Sequence, residues 1–267
     1  MISFSDRQPV LFVPHGGGPC FFMDWPGWEK LDAHLQGLAE TLPRRPSGIL
    51  VMSGHWETAV PTVTMAERPE LIFDYYGFPA HTYELTYPAP GSPALATRVK
   101  ELLEQAGLPC AQDNARGFDH GVFIPFLLAF PDADIPVVEL SMDKNLDATR
   151  ELQVGRALEA LRSENILIVA TGMTYHNLRH FMSGDPATDS LSYDFDRWLT
   201  TTIEADPSVR DRNLCQWEQA PAARICHPRE EHLLPLMFAA GAAGSDRGVR
   251  TYTDTVMGKA LLGFRFG

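Results

Sequence analysis

The chain has 267 residues, 45% of them hydrophobic and 21% charged, with a formal net charge of -12 at pH 7. This is the composition of a folded globular protein long enough to bury a full core, and an acidic balance without runs of Lys or Arg argues against nucleic acid and anionic membrane surfaces as partners. No basic-then-apolar leader and no apolar run of membrane-spanning length is present, and Cys20, Cys110, Cys215 and Cys226 form no CxxC pair, so a cytoplasmic location and reduced thiols are expected, without a disulfide scaffold, a zinc ribbon or a membrane span.

Pro9 to Val13 (PVLFV) reads as a buried strand, and it delivers His15 into the loop PHGGGP, where three glycines free the backbone. A Trp-bearing, helix-like segment follows. Ile49 to Met52 predicts a second strand, ending near His55 in SGHWET. From Pro61 to Pro93 no helical period is visible; FDYYGFP at its centre is too aromatic for a solvated linker and suits an ordered loop over a site. Ser92 as cap, Pro93 in the first turn, and Leu95, Val99, Leu102 and Leu103 on one stripe predict a helix to Gln105.

His120, in FDHGVFIP, opens an apolar segment, and Ile135 to Leu140 predicts a third strand. Asp147 can cap a helix carrying Leu152, Leu158 and Leu161. Ile166 to Ala170 predicts a fourth strand, followed shortly by His176 in ATGMTYHNLRH. Leu191, Phe195, Trp198 and Leu199 mark another helix, and His232, in HPREEHLLPLM, falls in the first turns of a helix that Pro228 can start. Strands alternating with helices predict one α/β domain over residues 1–267, with a mainly parallel central sheet flanked by helices.

In a parallel sheet the carboxyl ends of the strands share one edge, so His15, His55 and His176 converge there although far apart in sequence. One strand-end histidine is usually structural; three at one edge point to a shared metal or to proton transfer. His34, His81 and His180 fit surface or core roles. His227 is a weaker ligand candidate than His232, and Glu230 and Glu231 are carboxylate alternatives.

With PHGGGP, SGHWET, FDYYGFPAHTYELTYPAPGSPALA, FDHGVFIPFLLAFPDADIPVVELSM, TGMTYHNLR and HPREEHLLPLMFAAGAAG in the same order, the sequence resembles the class III (LigB-type) extradiol ring-cleavage dioxygenases, in particular the 4,5-DOPA extradiol dioxygenase branch. The resemblance implies a cytosolic α/β enzyme with one non-haem metal, Fe(II) in the active enzyme and often Zn(II) as isolated. It implies His15, His55 and His232 as metal ligands, His176 as an acid/base residue close enough to coordinate when no substrate is bound, and His120 as a second catalytic histidine. The partners it implies are a catechol, DOPA-like or otherwise substituted, and O2; the sequence is also compatible with a homo-oligomer.

Two features depart from the family pattern. PHGGGP replaces a more usual HGSP, and relatives that cleave protocatechuate use a glutamate as third ligand where the branch resemblance selects His232. An all-histidine set is shared with zinc hydrolases. The rival readings are therefore a zinc-dependent hydrolase on the same site and a Memo-like interaction or redox protein without catalysis.

Overall fold

The computed structural model describes residues 7–181 and 183–267. Six strands form the main sheet: β1 (Val10–Pro14), β2 (Gly48–Ser53), β3 (Val137–Glu139), β4 (Ile166–Gly172), β5 (Gly248–Val256) and β6 (Lys259–Phe266). Their order is β5-β6-β1-β4-β2-β3. The four strands from β1 to β3 pair in parallel, and β6 joins antiparallel to β1 with β5 outside it. Every residue of β1, β2 and β4 is buried, which is why these strands read as unbroken apolar runs rather than alternating ones.

The helices are α1 (Glu29–Gln36), α2 (Pro93–Gln105), α3 (His120–Ala129), α4 (Ala148–Ala157), α5 (Leu178–Phe181), α6 (Pro186–Ile203), α7 (Pro207–Cys215), α8 (Ala223–Cys226) and α9 (Leu234–Ala242). The expected caps are in use. Ser92 accepts from the Leu95 amide, and Asp147 accepts from the amides of Thr149 and Arg150. The helix α9 is buried along its whole length and packs on α4, β1 and β4, so it has no polar stripe from which its period could be read.

Two helix boundaries differ from expectation. α4 stops at Ala157, and the segment carrying Leu161 continues as a 3-10 turn (Glu159–Glu164) closed by Asn165 in the left-handed region. His232 is not inside a helix begun by Pro228. The chain turns there, with the Leu233 and Leu234 amides on the Glu230 carbonyl, and α9 starts two residues later with Pro235 in its first turn. The cause is tertiary: the Met173 amide, just past β4, donates to the His232 carbonyl at 2.9 Å and holds the segment against the end of the sheet.

The stretch from 61 to 93 is ordered by short parallel pairings, Thr62–Thr64 with Ala111–Asp113 and Leu71–Ile72 with Phe118–Asp119. All four cysteines are free, with Cys215 exposed and the others buried. No helix among the described residues is long and apolar enough to cross a membrane.

Candidate active site

The register fixes the site. Pro14 pairs with Gly172 and Ser53 with Thr171, so β1, β4 and β2 end level with one another. His15 is one residue beyond β1, His55 two beyond β2 and His176 four beyond β4. The turn before α9 contributes His232, and His120 is the first residue of α3, whose cap Asp119 accepts from the Gly121 amide and from Ser53 Oγ. Two glycines permit this crowding. Gly16 turns away from His15 at φ +86, where a Cβ would lie 2.6 Å from Cys20 Sγ; at Gly172 a Cβ would lie 2.2 Å from the His232 carbonyl oxygen.

Together these five histidines line the floor of one cavity of about 460 Å³. The ring centroids of His15, His55 and His232 are mutually 4.7 to 5.1 Å apart. His120 lies over His55 at 4.0 Å, and His176 stacks on His232 at 3.4 Å. Of the other histidines, His34 packs on Tyr252, His81 bonds the Phe22 carbonyl, His180 sits beside Asn177, and His227 bonds the Thr174 carbonyl; none lines the cavity.

The protonation pattern follows from what each Nδ1 faces. His15 Nδ1 lies 3.0 Å from the Gly16 carbonyl, His232 Nδ1 2.9 Å from Glu231 Oε1 and His120 Nδ1 2.7 Å from Asp74 Oδ1. His55 Nδ1 is 3.5 Å from Asp74 Oδ2, and His176 Nδ1 is 3.2 Å from Glu231 Oε1. For His15, His120 and His232 the neighbour is a hydrogen-bonded acceptor and can take only an N–H, so in the neutral ring the proton belongs on Nδ1 and Nε2 is left bare; the carboxylates facing His55 and His176 Nδ1 favour the same tautomer. Burial, reinforced by neighbouring histidines, holds His15 and His232 well below the usual imidazole pKa and brings His55 to about 4. These three rings are neutral at pH 7.

Three bare nitrogens thus face one another. His15 Nε2 and His55 Nε2 are 3.3 Å apart, and His232 Nε2 is buried without a hydrogen-bond partner. His15, His55 and His232 form one group able to hold a metal ion; the overlapping groups His55, Asp74, His120 and His176, Glu231, His232 add one carboxylate each. Glu230 faces elsewhere and pairs with Arg224.

The family model described as the catalytic LigB subunit of aromatic ring-opening dioxygenase matches residues 23–261. A dioxygenase, tasH, of Hapsidospora irregularis is 38% identical over 97% of this chain and 85% of its own length. The 4,5-DOPA dioxygenase extradiol of Beta vulgaris is 39% identical, covering 92% of this chain and 91% of its own, and its namesake from Escherichia coli K12 is 38% identical, covering 91% and 88%. The chain belongs to the LigB family. An uncharacterized protein of Escherichia coli K12 has the same fold, with a TM-score of 0.79 and 33% identity over 98% of this chain and 100% of that one. As a LigB-family member among relatives named extradiol dioxygenases, the chain is an extradiol ring-cleavage dioxygenase. His15 precedes the matched residues, and its membership in the site rests on the sheet register.

One LigB-site residue, Asp74, escapes the sequence reading, and a second, Glu231, is read there only as a carboxylate alternative. Asp74, inside the aromatic loop, binds both the ring and the amide of His120 and faces His55. Burial pushes its carboxyl up, but the hydrogen bonds from the His120 ring and amide, with His55 close by, outweigh this and bring it to about 2. Glu231 accepts from His232 and faces His176, and it belongs to one of the groups able to hold an ion; burial raises its carboxyl pKa, and His176, the Glu231 amide and Arg229 together more than reverse the shift. An acid inside FDYYGFP was the available signal for Asp74.

Proposed function

We propose that this LigB-family enzyme opens the ring of a substituted catechol by incorporating both atoms of O2, with one divalent non-haem metal held by His15, His55 and His232. The observation that carries this reading is the convergence of the Nε2 atoms of His15, His55 and His232, the last buried and without any partner. A buried acceptor lacking a donor is costly, and a cation satisfies all three at once. At 3.3 Å apart, His15 Nε2 and His55 Nε2 are close enough that both would hold one ion. Fe(II) is the proposed ion of the active enzyme, with Zn(II) able to take the same imidazoles.

When bound, Fe(II) supplies the one-electron chemistry that a direct reaction of O2 with an aromatic ring lacks. The protein's own part is proton handling and exclusion of water. His176, its Nδ1 beside Glu231 Oε1, has Nε2 free to take a proton from a diol hydroxyl and to return it as the ring opens. Glu231 steadies both the ligand His232 and the base His176, so holding the ion and moving the proton share one carboxylate. His120, fixed through Nδ1 and its amide by Asp74, accepts a hydrogen bond from the substrate. Trp25, Trp28, Tyr75 and Phe78 in the cavity wall keep bulk water from the reacting ring.

The test is an oxygen-electrode screen of Fe(II)-loaded protein against DOPA, caffeate, protocatechuate and unsubstituted catechol, with no reductant added. The expected result is one O2 consumed per catechol opened and both 18O atoms of labelled O2 in the product. Hydrolytic activity in Zn(II)-loaded protein, without O2 uptake on any catechol by the Fe(II) form, would replace this reading with the hydrolase.

A further inference from the structure

We infer, resting on the catechol reading above, that the substrate's ring substituent is an uncharged apolar or aromatic group and not a carboxylate. The histidine floor is adapted to a diol, so the substituent meets the remaining walls. Those walls include Trp25, Trp28, Phe78, Met173 and Phe181, and among the described residues no Lys or Arg lines the cavity. Arg179, next to Leu178 on α5, is not one of the lining residues. Asp74, the one carboxylate there, is committed to His120 and faces His55.

A carboxylate moved into this space would lose water and gain no Lys or Arg partner, an unfavourable exchange. Aromatic faces carry negative potential and add to the penalty. An ammonium is favoured by such faces, so a zwitterionic side chain would have one charge accommodated and the other stranded.

The cavity mouth gives an independent indication of size. Tyr76 and Leu178, 91% and 70% exposed, are the two most exposed large hydrophobic side chains among the described residues, and both line this cavity. Apolar side chains in water at the lip of an apolar cavity gain from a ligand that extends to cover them. A substituent reaching from the histidine floor to this rim would be an aryl or branched alkyl group or a neutral ester.

The test compares molecules differing only in charge: 3,4-dihydroxyphenylacetate against its methyl ester, and DOPA against 4-phenylcatechol as a wider pair. Each is titrated anaerobically into the Fe(II) enzyme, with binding read from tryptophan fluorescence, since Trp25 and Trp28 line the cavity; O2 is then admitted and its uptake recorded. The ester is expected to bind at least about tenfold more tightly than the acid, and 4-phenylcatechol more tightly than DOPA. Leu178→Arg should narrow or invert the first ratio by giving the carboxylate a partner. An acid that binds as well as its ester overturns the inference. Preference for the ester with no O2 uptake supports the substituent preference and removes the dioxygenase reading instead, whereas no binding by any catechol removes both.

Discussion

His227 and His232 lie five residues apart, both are fully buried, and both are held below the usual imidazole pKa chiefly by burial, yet they have opposite surroundings. His227 donates through Nε2 to the Thr174 carbonyl, and its bare Nδ1 lies unpartnered in the interior, with the rings of Phe195 and Trp217 in contact. His232 donates through Nδ1 to Glu231, and its bare Nε2 looks toward His15 and His55. Burial and a depressed pKa therefore do not identify a metal ligand. What distinguishes the pair is whether the bare nitrogen meets other bare nitrogens.

The most severe way to break the comparison is to exchange the two outcomes. His232→Ala is expected to lose the ion and all measurable ring opening, because a lost ligand should exceed the 10 to 100-fold cost typical of losing a group that only supports one. His227→Ala should keep a full complement of metal. Metal analysis after gel filtration checks both, and metal lost from His227→Ala but retained by His232→Ala would reverse the ligand assignment.

His176 sharpens the contrast from the other side of Glu231, since it stacks on His232 and shares the same carboxylate neighbour. His176→Ala should retain Fe(II) and bind catechol anaerobically, while turnover falls by about 10² to 10⁴. Loss of metal would make His176 a ligand and leave His120 as the better acid/base. A smaller effect is expected at Asp74→Asn, which keeps an acceptor for His120 but removes the negative charge. Metal affinity or kcat should fall by about 10 to 100-fold; an unaltered kcat and affinity would mean that Asp74 only anchors the loop.

The parallel sheet was legible because its central strands are buried on both faces and carry no polar alternation. The convergence of His15, His55 and His176 followed from that sheet alone, since parallel strands share a carboxyl edge. The start of α9 was not legible. Pro228 is as plausible a first-turn residue as Pro235, and long-range bonds distinguish them, among them the Met173 amide to the His232 carbonyl and the His176 amide to the Cys226 carbonyl. Asp74 was hidden for a similar reason: its partners His55 and His120 lie 19 and 46 residues away in sequence, and nothing periodic in its own loop announces them. The edge hairpin β5–β6 also went unread, because residues such as Arg250, Thr251 and Thr253 on the outer strand are exposed and weaken any hydrophobic signal.

The smallest effect isolates His227 through the pH dependence of stability. Its pKa is brought down to about 3, first by burial and also by the nearby His176 and Arg224, with the Thr174 hydrogen bond only partly opposing; in the unfolded chain it is about 6.5. Between these values the unfolded state binds the extra proton and the folded state does not, so stability falls as pH drops from 6.5 toward 3 and is undiminished above 6.5. One such group contributes a slope of about 1.4 kcal/mol per pH unit. His227→Gln retains an N–H for the Thr174 carbonyl and cannot titrate. In metal-loaded protein unfolded by urea at pH 7.5 and pH 5.0, the variant should therefore lose about 2 kcal/mol less than the parent over that interval, whatever its stability at pH 7.5. Equal losses would mean that His227 is protonated inside the folded protein, and the contrast with His232 would then rest on position alone.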